Sequence, residues 1–478
     1  MKRGSGLVVH ISSLPSKFGI GNFGVEAKRF VKLLKLAGQK YWQVLPLNPT
    51  ACNGSPYQSY SSFSLNPYFI DLEDLLKKKY LTKEEIEEFA KSYNNRKVDY
   101  DYLNKNRLIL LKLAANRAKQ IETYKIQRFY HTNKYWLKDY ALFMCLKERF
   151  NDTPWYDWPE NYKFHKKNDL KIFEENNLDL FEDYVTIQYF AFSEYLKLKK
   201  YANGKDIKIV GEIPFYMTYD SVDVWAHRQE FILNKDGGLS IAAGKALEKT
   251  QTYDIPLYDY KKMEKNNFKW WRNRIKFASK LYDLICLDDF QEFVSYYAVS
   301  IKDNKITWKN GPRDKIVDAI NKTKKSEIIV KDYLVLTDDI YELIKYGDYA
   351  VFNYIIAHFN EDSKSITSLL HDYKDNSVAF MGLNSSESLI DTLRTNKLLK
   401  TKLIHHLHLE DYCSLDNLID DTMKIALNSK ANLTLFTVRD LLKISSDDEN
   451  FIFRFKKTDF KKINFLKLYR MTCESERY

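Results

Sequence analysis

The sequence predicts an α/β fold: a (β/α)8 TIM barrel with a helical insertion between its second and third strands. Three observations lead there. The chain opens as strand, helix, strand, the start of a parallel sheet. Short apolar runs separated by helical stretches then recur along the rest of it. Several of those runs finish on carboxylates or their near-isosteres, as expected where a barrel presents chemistry at its C-terminal rim.

Leu7-Val8-Val9-His10 reads as the first strand. Phe23-Gly24 leads into a helix through Ala27, Phe30, Val31, Leu33, Leu34, Leu36 and Ala37, spaced for one buried face. Gly38 ends it, and Tyr41-Trp42-Gln43-Val44-Leu45-Pro46-Leu47 is the second strand. Residues 71–185 change to charged, helical segments such as Leu108-Ile109-Leu110-Leu111. The predicted organisation is therefore 1–70 for the start of the barrel, 71–185 for a mainly helical insertion, and 186–478 for the remaining barrel with its rim loops. Barrel rhythm resumes at Ile207-Lys208-Ile209-Val210-Gly211-Glu212-Ile213-Pro214, after a helix ending near Gly204. Leu284-Ile285 leads to Cys286-Leu287-Asp288-Asp289, and Tyr333-Leu334-Val335-Leu336-Thr337 to Asp338-Asp339. Tyr349-Ala350-Val351-Phe352 follows, then Ser377-Val378-Ala379-Phe380 before Asn384-Ser385, and Leu433-Thr434-Leu435-Phe436 as the eighth strand.

A chain of 478 residues at 45 % hydrophobic content has core enough for one large barrel. The net charge of +11 comes from 75 Lys+Arg against 64 Asp+Glu. The basic residues are spread out, with short clusters such as Lys77-Lys78-Lys79. That pattern is a solvated surface, and without an arginine-rich arm or RNA-binding motif no nucleic-acid partner is expected. The five cysteines (Cys52, Cys145, Cys286, Cys413 and Cys473) are odd in number and far apart, which predicts neither a disulfide framework nor a metal site. Leu7-Val8-Val9 is too short for a signal-peptide core, and no run is long enough for a bilayer, so a soluble cytoplasmic protein without a membrane partner is expected. Aromatic content is high, with 35 Tyr to serve as platforms for sugar rings, while 15 Gly are few for long rim loops.

Particular blocks carry a family resemblance. His10-Ile11-Ser12-Ser13-Leu14-Pro15 is followed by Phe18-Gly19-Ile20-Gly21-Asn22-Phe23-Gly24, then by Tyr41–Leu47, Ser55-Pro56-Tyr57-Gln58-Ser59 and Asn66-Pro67-Tyr68. Farther on come Asp220-Ser221-Val222-Asp223-Val224-Trp225 and Asn450-Phe451-Ile452-Phe453-Arg454. Together they resemble the amylomaltases, the 4-alpha-glucanotransferases of glycoside hydrolase family 77, over nearly the whole chain. The resemblance implies a (β/α)8 barrel that moves α-1,4-glucan segments through a covalent glucosyl-enzyme, with no cofactor and no metal. It places the nucleophile at Asp288, the acid/base at Asp338 where the family has Glu, and the transition-state stabiliser at Ser385 where the family has Asp. It implies substrate contacts from Ser55, Tyr57, Gln58, Glu212, Tyr253, Asp339 and Asn384.

The departures fall on the rim. The family's Arg two residues before the nucleophile is Cys286, the His after it is Asp289, the Asp of its Gly-Asp-Ile-Pro strand end is Glu212, the loop around Tyr253 is shortened, and the two Trp of its Asn-Trp-x-Trp-Arg motif are Phe451 and Phe453. A retaining transfer needs a carboxylate nucleophile and a general acid/base across one glycosidic bond. Losing one well-placed electrostatic stabiliser costs roughly 3–4 kcal/mol of barrier, and groups that act as a unit fail together. The expectation is a non-catalytic homologue that binds α-glucan (maltodextrin) weakly or binds a protein partner; no motif identifies such a partner. A slow active 4-alpha-glucanotransferase and a structural subunit beside an active paralogue are the alternatives. Asp288 is then either a nucleophile or a strand-end acid paired with Lys, and Tyr57 either a sugar platform or a packing residue. Cys286, without a neighbouring His, reads as a small buried hydrophobe.

Overall fold

The computed structural model describes residues 1–51, 54–90, 96–244, 255–331, 337–356, 376–382, 388–407, 409 and 414–475. Among these, the strands are β1 (Gly4–Val8), β2 (Tyr41–Val44), β3 (Lys208–Ile213), β4 (Ile241–Gly244), β5 (Leu284–Leu287), β6 (Ser295–Ser300), β7 (Ile306–Asn310), β8 (Glu327–Val330), β9 (Ala350–Tyr354), β10 (Ser377–Phe380) and β11 (Leu433–Thr437). Eight of them close a parallel barrel in the order β1-β11-β10-β9-β8-β5-β3-β2. The (β/α)8 expectation is met.

Alternation along each strand divides the core in two. Val8, Tyr41, Val210, Leu284, Cys286, Ile329, Phe352, Val378, Phe380 and Leu435 face inward and pack with one another as the barrel interior. The intervening residues face the helices and join the larger outer core. In the opening unit, helix Val25–Leu36 buries Ala27, Phe30, Val31 and Leu34. Phe30 meets Trp42 edge-on at 5.1 Å between centroids, and Gly38, at φ +72°, turns the chain out of the helix as only glycine does cheaply. Gly211 in β3 serves close approach, since a Cβ there would lie 2.1 Å from the Tyr282 ring.

Between β2 and β3 run three long helices, Tyr100–Ile121, Thr123–Arg149 and Leu178–Asn203, with shorter ones among them. The sequence reading did not anticipate β4, β6 and β7, which form a separate antiparallel sheet in the order β4-β6-β7. Its signal was present: two runs rich in aromatic and β-branched residues flank Asp303-Asn304, a hairpin pattern.

One strand lies elsewhere than expected. The barrel strand after β5 is Glu327–Val330, built on Ile328-Ile329-Val330, and it ends at Lys331. The expected run 333–337 falls almost wholly outside the described residues, and Asp338 opens helix Asp338–Gly347. A continuous β-branched triplet is the stronger strand former.

Candidate functional site at the barrel mouth

Strand register brings the central groups together. Glu212 pairs with Cys286 across β3 and β5, and Cys286 with Ile329 across β5 and β8. Hydrogen bonding continues past the strand ends: the Asp288 N–H donates to Ile213 O at 3.3 Å and the Lys331 N–H to Leu287 O at 2.9 Å. Two-residue periodicity therefore points Glu212, Asp288 and Lys331 into the mouth, directly above the inward layer of Cys286 and Ile329.

These side chains form one buried ion cluster. The Lys331 ammonium bonds Glu212 Oε1 and lies 3.4 Å from Asp288 Oδ2. Side-chain exposure is 0 % for Lys331 and Glu212 and 7 % for Asp288. The Tyr57 hydroxyl donates to Glu212 Oε2 at 2.8 Å, and the ammonium sits 5.8 Å from the centre of the Tyr57 ring. Asp288 Oδ1 accepts the Asp289 N–H at 3.1 Å, with Asp289 in the left-handed region at φ 47°. Burial pushes the Asp288 carboxyl well above the ordinary aspartate range; Lys331 pulls against that rise, and Asp289 and Glu212 add to it. Burial also drives the Cys286 thiol well up, with Glu212 adding to the rise, and its side chain packs in the barrel interior as a small hydrophobe.

The Tyr57 loop is held firmly. The Gln58 N–H donates to Ser55 O at 3.2 Å and the Ala51 N–H to Gln58 O at 2.8 Å. The Ser59 N–H donates to Thr218 Oγ1 at 3.0 Å. Ser55 thus shapes the turn, Gln58 is exposed, and Tyr57 is aimed at Glu212. Nearby, the Ser62 N–H donates to Asp223 Oδ2 at 2.7 Å, and burial raises that carboxyl to about 6.

Two of the other expected residues do not join the cluster. Asp338 and Asp339 are exposed at the start of their helix, and Asp339 pairs with Arg313 at 3.3 Å. Tyr253, Asn384 and Ser385 lie outside the described residues. Lys331 is the cluster residue the sequence did not point to, because a retaining glycosyl-transfer site is marked by carboxylates at strand ends and a basic end carries no such signal. Among the described residues no group of three or more His, Cys, Asp or Glu side chains is placed to hold a metal, and no helix is long and apolar enough to cross a membrane. A surface cleft of about 250 Å3 between Phe18, Arg29, Glu73 and Lys457 shares no residue with the cluster.

Fold and mouth define the class: a (β/α)8 barrel with a buried cluster of charged side chains at the C-terminal ends of its strands, the end where barrels of this kind carry their chemistry. The chain belongs to the 4-alpha-glucanotransferase family, glycoside hydrolase family 77, whose profile matches residues 9–451. It is 37 % identical to the 4-alpha-glucanotransferase of Clostridium butyricum over 390 residues, covering 80 % of each chain. It is 31 % identical to that of Streptococcus pneumoniae over 455 residues, 93 % of this chain and 89 % of that one. The solved amylomaltase from Streptococcus agalactiae in complex with acarbose superposes with a TM-score of 0.92 at 25 % identity, over 99 % of both chains.

Proposed function

We propose that this chain is a non-catalytic member of the family that holds an α-1,4-glucan at the barrel mouth without transferring it. The observation that carries the reading is the Lys331 ammonium at 3.4 Å from Asp288. We assign the acid/base position to Lys331, the residue that ends β8, in place of the exposed Asp338. A lysine ammonium in water gives up its proton roughly six pK units later than a glutamic acid, so it cannot protonate a departing sugar oxygen as a general acid near neutrality does. It also draws the Asp288 carboxylate into an ion pair, which competes with attack on an anomeric carbon. Two roles of a retaining site are thereby cancelled by one side chain.

Binding is supported by the Tyr57 loop, whose family motif is intact and whose ring is fixed through Glu212, and by the acarbose complex of the Streptococcus agalactiae relative. An aromatic contact contributes on the order of 1 kcal/mol beyond buried area, so affinity is expected to be about millimolar. Calorimetry with maltoheptaose tests the binding: weak heat lost in Tyr57→Ala is the expected result, and micromolar affinity indifferent to that change would place the ligand elsewhere. Incubation with maltotriose tests the absence of transfer: no glucose and no longer maltodextrin are expected. Glucose release that disappears in Asp288→Asn would overturn the reading.

A further inference from the structure

The mouth cluster carries a consequence for which sugars it accepts, an inference that rests on the glucan-binding reading above. Glycosyl transfer builds positive charge on the sugar ring, and carboxylates at such a site are arranged to meet that charge. Here the two buried carboxylates converge on a cation that belongs to the chain. Glu212 Oε1 takes the Lys331 ammonium and Oε2 the Tyr57 hydroxyl. Asp288 Oδ2 faces the same ammonium, while Oδ1 accepts a backbone N–H. All four carboxylate oxygens therefore have donors before any ligand arrives.

We infer that Lys331 is a specificity-determining residue, an internal ammonium filling the cation subsite of Asp288 and Glu212, so that the mouth takes neutral sugars and rejects sugar mimics with a positive ring nitrogen. A cationic ligand there meets a like charge at the point where the carboxylates would have met it. It can gain their attraction only by displacing a buried ammonium, leaving that charge without its partners. A neutral ring has no such conflict. Removing the ammonium should shift the preference toward the cation, because Glu212 and Asp288 would then lose the Lys331 charge, which the ligand can replace.

The test uses two ligands that differ at one ring atom: 1-deoxynojirimycin, protonated at its ring nitrogen at about pH 6, and 1,5-anhydroglucitol, with a ring oxygen. Binding to the full chain and to Lys331→Met and Lys331→Gln is measured by calorimetry or ligand-observed NMR, with circular dichroism to verify folding. The expected result is no preference for the cation in the parent protein and a preference of about tenfold or more in a folded variant. The inference is overturned if the parent prefers the cation about tenfold, or if a folded variant shows no gain for the cation. The parent measurement decides alone if neither variant folds. Maltoheptaose binding to the parent separates the two proposals: its absence removes the glucan-binding reading, whereas the cation preference of the variants still decides the role of Lys331.

Discussion

Two sectors of the barrel mouth treat their family residues in opposite ways. Around β1 and β2, the blocks that carry the family likeness interlock. The Ser12 hydroxyl donates to Phe451 O at 2.7 Å, the Phe455 N–H to Ser13 O at 2.9 Å, and Arg454 to Ser16 O at 2.8 Å. The Trp42 indole donates to Val9 O at 2.9 Å, and His10 meets the Phe69 ring at 5.3 Å. Around β5 and β8, the side chains at the strand ends face one another across the mouth: Cys286 lies in the apolar layer of the barrel interior, and Lys331 lies against Glu212 and Asp288 above it. Side chains that bond distant segments together are constrained by folding. Side chains that only line the mouth are free to change so long as a buried charge keeps a counter-charge, and Lys331 is a counter-charge to Glu212 and Asp288.

The largest expected effect tests this balance. Lys331→Met leaves Glu212 and Asp288 buried without their ammonium, and breaking such a cluster costs about 3–5 kcal/mol. Urea unfolding of Lys331→Met should show a lower midpoint at an unchanged slope; an unchanged midpoint would mean the rim is not electrostatically coupled to the fold.

The next effect belongs to the interlocked sector and depends on pH. Burial lowers the His10 imidazole from 6.5 to about 3, and its Nδ1 has no hydrogen-bond partner among the described residues. Between those values the unfolded chain binds a proton that the folded chain refuses, so this contribution to stability is full above about 6.5 and falls as pH drops, by up to about 1.4 kcal/mol per unit. Unfolding midpoints measured from pH 7 down to 4 should decline less steeply in His10→Asn. Identical slopes would show that His10 is solvated.

A smaller effect is expected from Tyr57→Phe, which removes the donor to Glu212 and keeps the ring. Stability should fall by about 1.5–3 kcal/mol, with maltoheptaose affinity reduced because the ring loses its anchor. Unchanged affinity would separate the platform from the cluster. Asp338→Asn should shift stability by less than about 0.5 kcal/mol, as befits an exposed residue outside the mouth. A large change in thermal unfolding there would reinstate Asp338 as a structural part of the site.

Much of this was legible in the sequence, and the misses have physical causes. Strand periodicity and the β1–β2 blocks identify the barrel because burial on both faces leaves few alternatives for runs such as Ile207–Ile213. Tyr57 was legible because its Ser55–Ser59 block is intact, and Glu212, Cys286 and Asp288 because strand-like apolar runs lead straight into them. Lys331 was missed because Tyr333–Thr337 is also apolar and ends on Asp338-Asp339, so local pattern alone offered two strand ends, at Lys331 and at Asp338; pairing of Leu287 with Val330 decides between them. The β6–β7 hairpin lies between Asp289 and Tyr333, where the sequence reading placed no element, because a barrel's strand–helix rhythm leaves no position for an antiparallel pair.

The central claim is that Lys331 silences Asp288 as a nucleophile, and α-maltosyl fluoride tests it most directly because fluoride leaves without a proton from a general acid. The protein is incubated with this donor and its intact mass measured at successive times. With Lys331 holding Asp288, no glycosyl adduct forms and fluoride release does not exceed that of Asp288→Asn. A glycosyl adduct, or fluoride release that vanishes in Asp288→Asn, would show a working nucleophile and contradict that claim.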